Sequence, residues 1–116
     1  MALAGIGAGA LAACSGEGSR LSLAIWQDYL GETTLADFLR ATGIEVTVTP
    51  IASNEDLYAK LKAGKHGFDL VMPSSPWVER MVREGLLAPL SKTRLANLGN
   101  LEAAFNDMPY DPGNLH

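Results

Sequence analysis

Residues 44–64 read IEVTVTPIASNEDLYAKLKAG, and this stretch decides the fold. Its first six residues, Ile44–Thr49, alternate between β-branched apolar and polar side chains, which is typical of a β-strand, and Pro50 is expected to end that strand. Ser53, with an acidic residue three positions later, is a variant of the capping box and predicts the start of a helix that ends at Gly64. The stretch is therefore predicted to form one strand followed by one helix.

The same strand-helix unit is predicted on both sides of this stretch. Three such units in about 65 residues predict an α/β domain with a parallel sheet, right-handed crossovers and helices on both faces. From Leu86 to His116 the pattern is less regular and predicts loops and short helical turns. The predicted strands are Leu21–Trp26, which is expected to be buried on both faces, Ile44–Thr49 and Phe68–Met72, and the predicted helices run from Thr33 or Thr34 to Gly43, from Ser53 to Gly64 and from Trp77 to Glu84.

The first residues indicate export. Ala2–Ala13 consists almost entirely of Ala, Gly, Leu and Ile, the composition of the apolar part of a secretory signal. It ends at Leu11-Ala12-Ala13-Cys14, which resembles the lipobox of bacterial lipoproteins, in which the cysteine receives the lipid. A free or buried thiol is the alternative, although the glycines in this run oppose a helix interior. The predicted divisions are a lipoprotein signal peptide at 1–13, a flexible lipid-anchored linker at 14–20 and a domain at 21–116.

Composition narrows the classes of function. The net charge of −4 and the pI near 5.0 argue against nucleic acid as a partner, because nucleic-acid binding requires a basic surface. No apolar run approaches the roughly 20 residues of a membrane-spanning helix. His66 and His116 offer no metal-ligand spacing, and no G-x-S-x-G motif occurs. We therefore expect neither an enzyme nor a bound metal or cofactor.

A candidate ligand site follows the predicted strands. Small ligands of open parallel sheets bind beyond the carboxyl ends of the strands. Trp26, Asp28 and Tyr29 follow the first strand, and two aromatic rings beside a carboxylate suit an alkylammonium group. Ser74, at the tip of the third strand, is a further candidate contact. The structural alternatives are that Trp26 closes the core, that Tyr29 packs on the first helix and that Asp28 only forms a turn.

A series of motifs runs in order along the chain: Trp26-Gln27-Asp28-Tyr29, Thr42-Gly43-Ile44-Glu45-Val46, Ser53-Asn54-Glu55, Leu57–Gly64, Phe68–Ser74, Glu79-Arg80-Met81, Glu84–Leu87 and Tyr110–Asn114. Together they resemble the bacterial spermidine/putrescine-binding proteins of polyamine ABC transporters. The resemblance implies a periplasmic binding protein with two α/β lobes that clamp a polyamine between them and deliver it to a membrane permease without chemical change. It also implies that Trp26, Asp28, Tyr29 and Ser74 line the first lobe's side of the cleft. Pro76 stands where members of the family often carry an aromatic residue that contacts the ligand, and Trp77 beside it would supply that contact.

From this resemblance we expect the substrate-binding component of an ABC transporter, monomeric at full length. The protein would lie in the periplasm or on the outer face of the cytoplasmic membrane, anchored through lipid on Cys14. Members of the family are about three times longer than this chain, so residues 21–116 are expected to form an incomplete first lobe. The alternatives are a binding lipoprotein of the same fold for another small solute, permitted by Gln27 and Pro76, or a fragment without function.

Overall fold

The computed structural model describes residues 19–116, in which three strands alternate with three helices. Residues 1–18, which include the predicted signal peptide and Cys14, lie outside the described residues. After the third helix the chain is irregular, as predicted, and contains three short 3-10 helices at Lys92–Arg94, Leu98–Asn100 and Ala103–Phe105. The principal elements are β1 (Arg20–Trp26), α1 (Thr34–Thr42), β2 (Glu45–Ile51), α2 (Asn54–Ala63), β3 (Leu70–Val71) and α3 (Ser75–Arg83).

The three strands form one parallel sheet in the order β2-β1-β3. Arg20 to Trp26 lie opposite Glu45 to Ile51, and Leu23 and Ala24 lie opposite Leu70 and Val71. The chain moves from β1 to β2 in one direction and from β2 past β1 to β3 in the other. Because crossovers between parallel strands are almost always right-handed, this reversal puts α1 and α2 on opposite faces of the sheet. The parallel sheet and its alternating helices confirm the predicted α/β class.

The second strand differs from its prediction. Pro50 was expected to end the strand, but β2 continues through Pro50, which lies opposite Ile25, to Ile51. Proline lacks a backbone N–H, and a strand at the edge of a sheet tolerates this loss. β2 occupies an edge of the described sheet, so its pairing with β1 survives the proline.

The third strand is shorter than predicted, because only Leu70 and Val71 form it. Just before this strand, the Asp69 carboxylate accepts a hydrogen bond from the amide of Ser22 at 2.8 Å. The Asp69 amide in turn donates to the Ser22 carbonyl at 2.9 Å. The Asp69 side chain thus takes the hydrogen bond of the Ser22 amide in β1. In a longer third strand, a backbone carbonyl would accept that hydrogen bond.

The core lies where α2 and α3 meet one face of the sheet. Ala24, in the middle strand, is 1% exposed, and Leu57 of α2 and Met81 of α3 are 2% and 0% exposed. Full burial of a side chain of the size of Leu57 stabilises the fold by about 1.5–3 kcal/mol. α1 contributes no buried residue to the described structure, and the apolar side chains Leu35, Phe38 and Leu39 are exposed.

Helix α3 starts earlier than predicted. It begins at Ser75 rather than Trp77, and Pro76 lies in its first turn, where the missing N–H of proline removes no helical hydrogen bond. The helix ends at Arg83, with its predicted last residue Glu84 as the C-cap. Gly85 has φ 67°, its amide donates to the Val82 carbonyl, and the amide of the next residue donates to the Met81 carbonyl. These two bonds satisfy carbonyl groups that the helix end leaves without partners.

The irregular final segment is organised around a buried carboxylate. Asp111 is 5% exposed and accepts hydrogen bonds from the backbone amide of His116 at 2.8 Å and from its ring at 2.9 Å. Burial alone would raise the pKa of the Asp111 carboxyl, but the hydrogen bonds from His116 outweigh burial and lower that pKa below its ordinary value. This pair ties residue 116 to the turn at 108–111.

A cluster of charged and aromatic side chains joins α2 to α3. The Glu84 carboxylate accepts hydrogen bonds from Lys62 at 2.8 Å, from the Tyr58 hydroxyl at 2.7 Å and from Arg80 at 3.1 Å. The Arg80 guanidinium also lies over the Tyr58 ring, 4.4 Å from its centroid. Hydrogen bonds from Lys62, Tyr58 and Arg80 lower the pKa of Glu84 to about 2. Because several donors share one carboxylate, this cluster stabilises the fold more than an isolated surface ion pair would.

We predict that Glu84→Gln destabilises the fold near neutral pH and that this effect disappears in acid. A carboxyl whose pKa is lowered on folding stabilises the protein above its ordinary pKa of 4.5, and that contribution is lost as the pH falls towards about 2. The measurement is the urea midpoint of the parent and the variant from pH 7 to pH 2. Glu79→Gln is the control, because the Glu79–Arg83 pair is exposed and 3.8 Å long. A midpoint difference that does not change with pH would contradict the prediction.

Candidate functional site

The loops that follow the three strands meet at one edge of the sheet. The chain leaves β1 towards β2, whereas β3 lies on the other side of β1, so the direction of the connections reverses at β1. In open α/β sheets, ligands bind beside the carboxyl ends of the strands at such a reversal. Trp26 is the last residue of β1, the loop after β1 carries Asp28 and Tyr29, and the loop after β3 carries Ser74. The structure thus places four of the five predicted ligand contacts at the end of β1 or in the loops that flank this position.

Asp28 lies in a tight turn. The Tyr29 amide donates to the Trp26 carbonyl at 3.4 Å, and Asp28 has φ 63°. Asp is one of the few residues other than glycine that enter this left-handed region. The Asp28 side chain is exposed, and within residues 19–116 no hydrogen bond or ion pair engages its carboxylate. Asp28 therefore forms the turn, as the structural alternative held, and also presents a charge to solvent.

The two aromatic residues of this loop differ in their surroundings. Trp26 is partly buried and packs against the core, as its structural alternative held. It also lines a pocket of about 200 Å³ together with Gln27 and Asp28, and apolar side chains including Ile25 and Val48 form the rest of the wall. Tyr29 is 67% exposed. One ring is therefore fixed by the core and the other projects into solvent.

Two serines at helix starts have different partners. The Ser53 hydroxyl accepts a hydrogen bond from the Asp56 amide at 3.1 Å, which confirms the predicted helix cap. Ser74 precedes α3 in the same way, but its side chain makes no cap bond. Instead the Asn54 amide nitrogen donates to the Ser74 hydroxyl oxygen at 3.1 Å, and the Ser74 amide donates to the Asn54 side-chain oxygen at 2.9 Å. This contact was not predicted, because it joins residues twenty positions apart.

Trp77 is placed mainly by helix packing. It lies in α3, packs against the core cluster, and its ring centroid is 5.5 Å from that of Tyr58. The Arg80 guanidinium lies 5.3 Å from the centroid of the Trp77 ring. The Trp77 ring thus already has two neighbours, one on α2 and one on α3. Ligand contact by Trp77 remains a prediction.

The described residues hold few groups for other chemistry. Within residues 19–116, no three His, Cys, Asp or Glu side chains lie close enough together to hold a metal ion. His66 accepts a hydrogen bond from the Phe68 amide at 3.1 Å and stacks on its ring, a local structural role. In the same part of the chain, no helix is long and apolar enough to cross a membrane.

The reversal at β1 and the loops beside it match the arrangement in which open α/β proteins place their ligand sites. Residues 33–114 match the family described as bacterial extracellular solute-binding protein, and the chain belongs to this family. The spermidine/putrescine-binding periplasmic protein of Escherichia coli (strain K12) is 36% identical over 115 residues, which are 98% of this chain and 33% of that protein. The chain thus spans about a third of the length of this relative.

Solved structures agree with this assignment. The spermidine/putrescine ABC transporter substrate-binding protein PotD from Streptococcus pneumoniae superposes with a TM-score of 0.81 and 33% identity, over 84% of this chain and 30% of that one. The TpPotD lipoprotein of Treponema pallidum gives a TM-score of 0.74 and 32% identity, over 81% of this chain and 30% of that one. The predicted resemblance and its restriction to a first portion of the relatives are confirmed.

We predict that Asp28→Val destabilises the fold by about 1–2 kcal/mol, because a β-branched residue is strained at this positive φ. Asp28→Asn is the matched control and should leave the free energy of unfolding almost unchanged, since Asn also tolerates this backbone conformation. Urea unfolding of the three proteins measures the difference. Equal stability of the Val and Asn variants would mean that the turn relaxes at no energetic expense.

Proposed function

We propose that this chain forms the first-lobe wall of a polyamine site in the substrate-binding component of an ABC transporter. The observation that carries the proposal is the Asp28 carboxylate, which is exposed and unengaged within residues 19–116 and lies between Trp26 and Tyr29 in sequence. An ammonium group gains from both a carboxylate and aromatic faces. The names of the relatives, which include spermidine/putrescine-binding proteins, support the same ligand class.

The proposed binding requires no chemical step. The loops at the sheet edge offer a carboxylate, a hydroxyl and aromatic rings, which suffice to hold an amine. Trp26 is fixed by the core, so its ring is pre-organised and a ligand that contacts it orders little additional structure. Tyr29 is free to close over a bound alkylammonium group. We propose that residues 21–116 act as one lobe, that a second lobe supplies the opposite wall, and that the complete protein is a monomer that delivers the solute to a permease.

A second candidate ligand is a solute that carries both an ammonium and a carboxylate group. The first turn of α3 contains no acidic residue, so the positive end of its helix dipole favours an anion. Gln27 and Pro76, which differ from the residues common in polyamine-binding proteins, leave room for this alternative. Ornithine carries two ammonium groups and one carboxylate, so a comparison with putrescine separates the two ligand classes.

The full-length protein should bind spermidine or putrescine with micromolar or better affinity, and ornithine more weakly. Asp28→Asn should weaken amine binding about tenfold or more, because it removes a charge-assisted contact while it keeps the turn. Isothermal titration calorimetry measures both effects. Glu32→Gln, with the same charge change at a nearby exposed position, is the control and should have little effect. The absence of heat with either polyamine would rule out the polyamine assignment, and tighter binding of ornithine would favour the second candidate.

We also propose that the mature protein is anchored on the outer side of the cytoplasmic membrane or in the periplasm through lipid on Cys14. The sequence Leu11-Ala12-Ala13-Cys14 supports this proposal, as does the description of a relative from Treponema pallidum as a lipoprotein. Several acyl chains together give stable attachment, whereas one chain alone binds weakly.

In cells fed labelled palmitate, the protein should become labelled and Cys14→Ser should abolish the label, since the thiol is the predicted attachment atom. Ser15→Ala is the control and should keep the label, because it leaves the thiol in place. Label retained by Cys14→Ser would refute the lipid anchor without affecting the proposed ligand.

A further inference from the structure

Asn54 has a side chain that its own helix does not use. It is the first residue of α2, directly after Ser53, whose hydroxyl already caps that helix by accepting the Asp56 amide. Asn54 instead makes two hydrogen bonds to Ser74, one to the backbone and one to the hydroxyl. The first turn of α2 is therefore hydrogen-bonded to the loop after β3.

The backbone fixes the orientation of the Asn54 amide. The Ser74 amide can only donate, so the Asn54 oxygen must face it, and the Asn54 nitrogen must then face the Ser74 hydroxyl. The hydroxyl oxygen consequently accepts a hydrogen bond from Asn54 with one lone pair. Its own hydrogen and its second lone pair remain available on the side away from Asn54. One residue thus sets both the position of the Ser74 oxygen and the direction of its remaining hydrogen-bonding capacity.

The contact lies at the edge where the candidate site is. α2 follows β2 and Ser74 follows β3, and these strands flank β1, whose loop carries Asp28. The Ser74 carbonyl accepts hydrogen bonds from the amides of Trp77 and Val78, so Ser74 is also the anchor of α3. The Asn54 side chain therefore joins the first turn of α2 to the start of α3 beside the β1 loop.

We propose that Asn54 is a positioning residue of the solute site, which acts on the ligand through the Ser74 hydroxyl and not by direct contact. This inference rests on the proposed function, in which Ser74 contacts the solute. A hydroxyl that is already held in one rotamer loses less freedom when a ligand binds, which strengthens binding. Removal of the Asn54 amide frees Ser74 to rotate or to cap its own helix, as Ser53 does.

A double-mutant cycle in the full-length protein tests the proposal, with spermidine affinity measured by calorimetry. Asn54→Ala should weaken binding about threefold to tenfold, the range expected for one lost hydrogen bond, and should have no further effect in the Ser74→Ala background. Asn54→Asp keeps the acceptor for the Ser74 amide and should bind better than Asn54→Ala. Asn97→Ala is the matched control, since the Asn97 side chain makes no hydrogen bond within residues 19–116. Equal losses in both backgrounds, or no loss in either, would overturn the proposal.

A measurement without ligand separates this inference from the proposed function. Hydrogen exchange at the Ser74 amide should accelerate in Asn54→Ala and stay slow in Asn54→Asp, because the Asp side chain still accepts that amide. If the parent protein binds neither spermidine nor putrescine, the proposed function fails, while unchanged exchange at Ser74 would overturn the positioning role even if binding is normal. A variant that does not fold is detected by its thermal unfolding, and Asn54→Asp then carries the comparison.

Discussion

The close approach of two helices to the middle strand is the constraint on which the rest of this lobe depends. Ala24 lies in β1 and is almost fully buried in the cluster that contains Leu57 of α2 and Met81 of α3. A methyl group at this position lets the larger side chains of both helices pack over the centre of the sheet. Both helices start at the carboxyl edge of the sheet, where the Asn54 side chain donates a hydrogen bond to the Ser74 hydroxyl.

Much of the fold could be predicted from local sequence because the signals are local. Alternation in Ile44–Thr49, the cap at Ser53 and the termination at Gly64 each depend on neighbouring residues, and each was predicted correctly in kind. The role of Pro50 was mispredicted, because its tolerance depends on which strand lies at an edge. The bonds from Asn54 to Ser74 and from Tyr58 to Glu84 join residues 20 and 26 positions apart, so no sequence pattern indicates them.

Charge is distributed along the helices in a way that matters for the site. In a parallel α/β arrangement each helix starts at the carboxyl edge of the sheet and ends at the opposite edge. Acidic residues lie in the first turns of α1 and α2, and basic residues in the last turns of all three helices. The site edge is thus the more negative one, which offsets the positive ends of the helix dipoles that point there. The cluster around Glu84 holds two of the cations at the far end.

The turn at Asp28 limits which residues position 28 can accept. The left-handed backbone admits Gly, Asn and Asp most readily. A negative charge requires Asp or Glu, and the longer Glu is not among the residues that favour this conformation. Asp alone belongs to both sets. On the proposed function, folding and amine binding therefore favour different but overlapping sets of residues at this one position, and Asp28 lies where the two sets overlap.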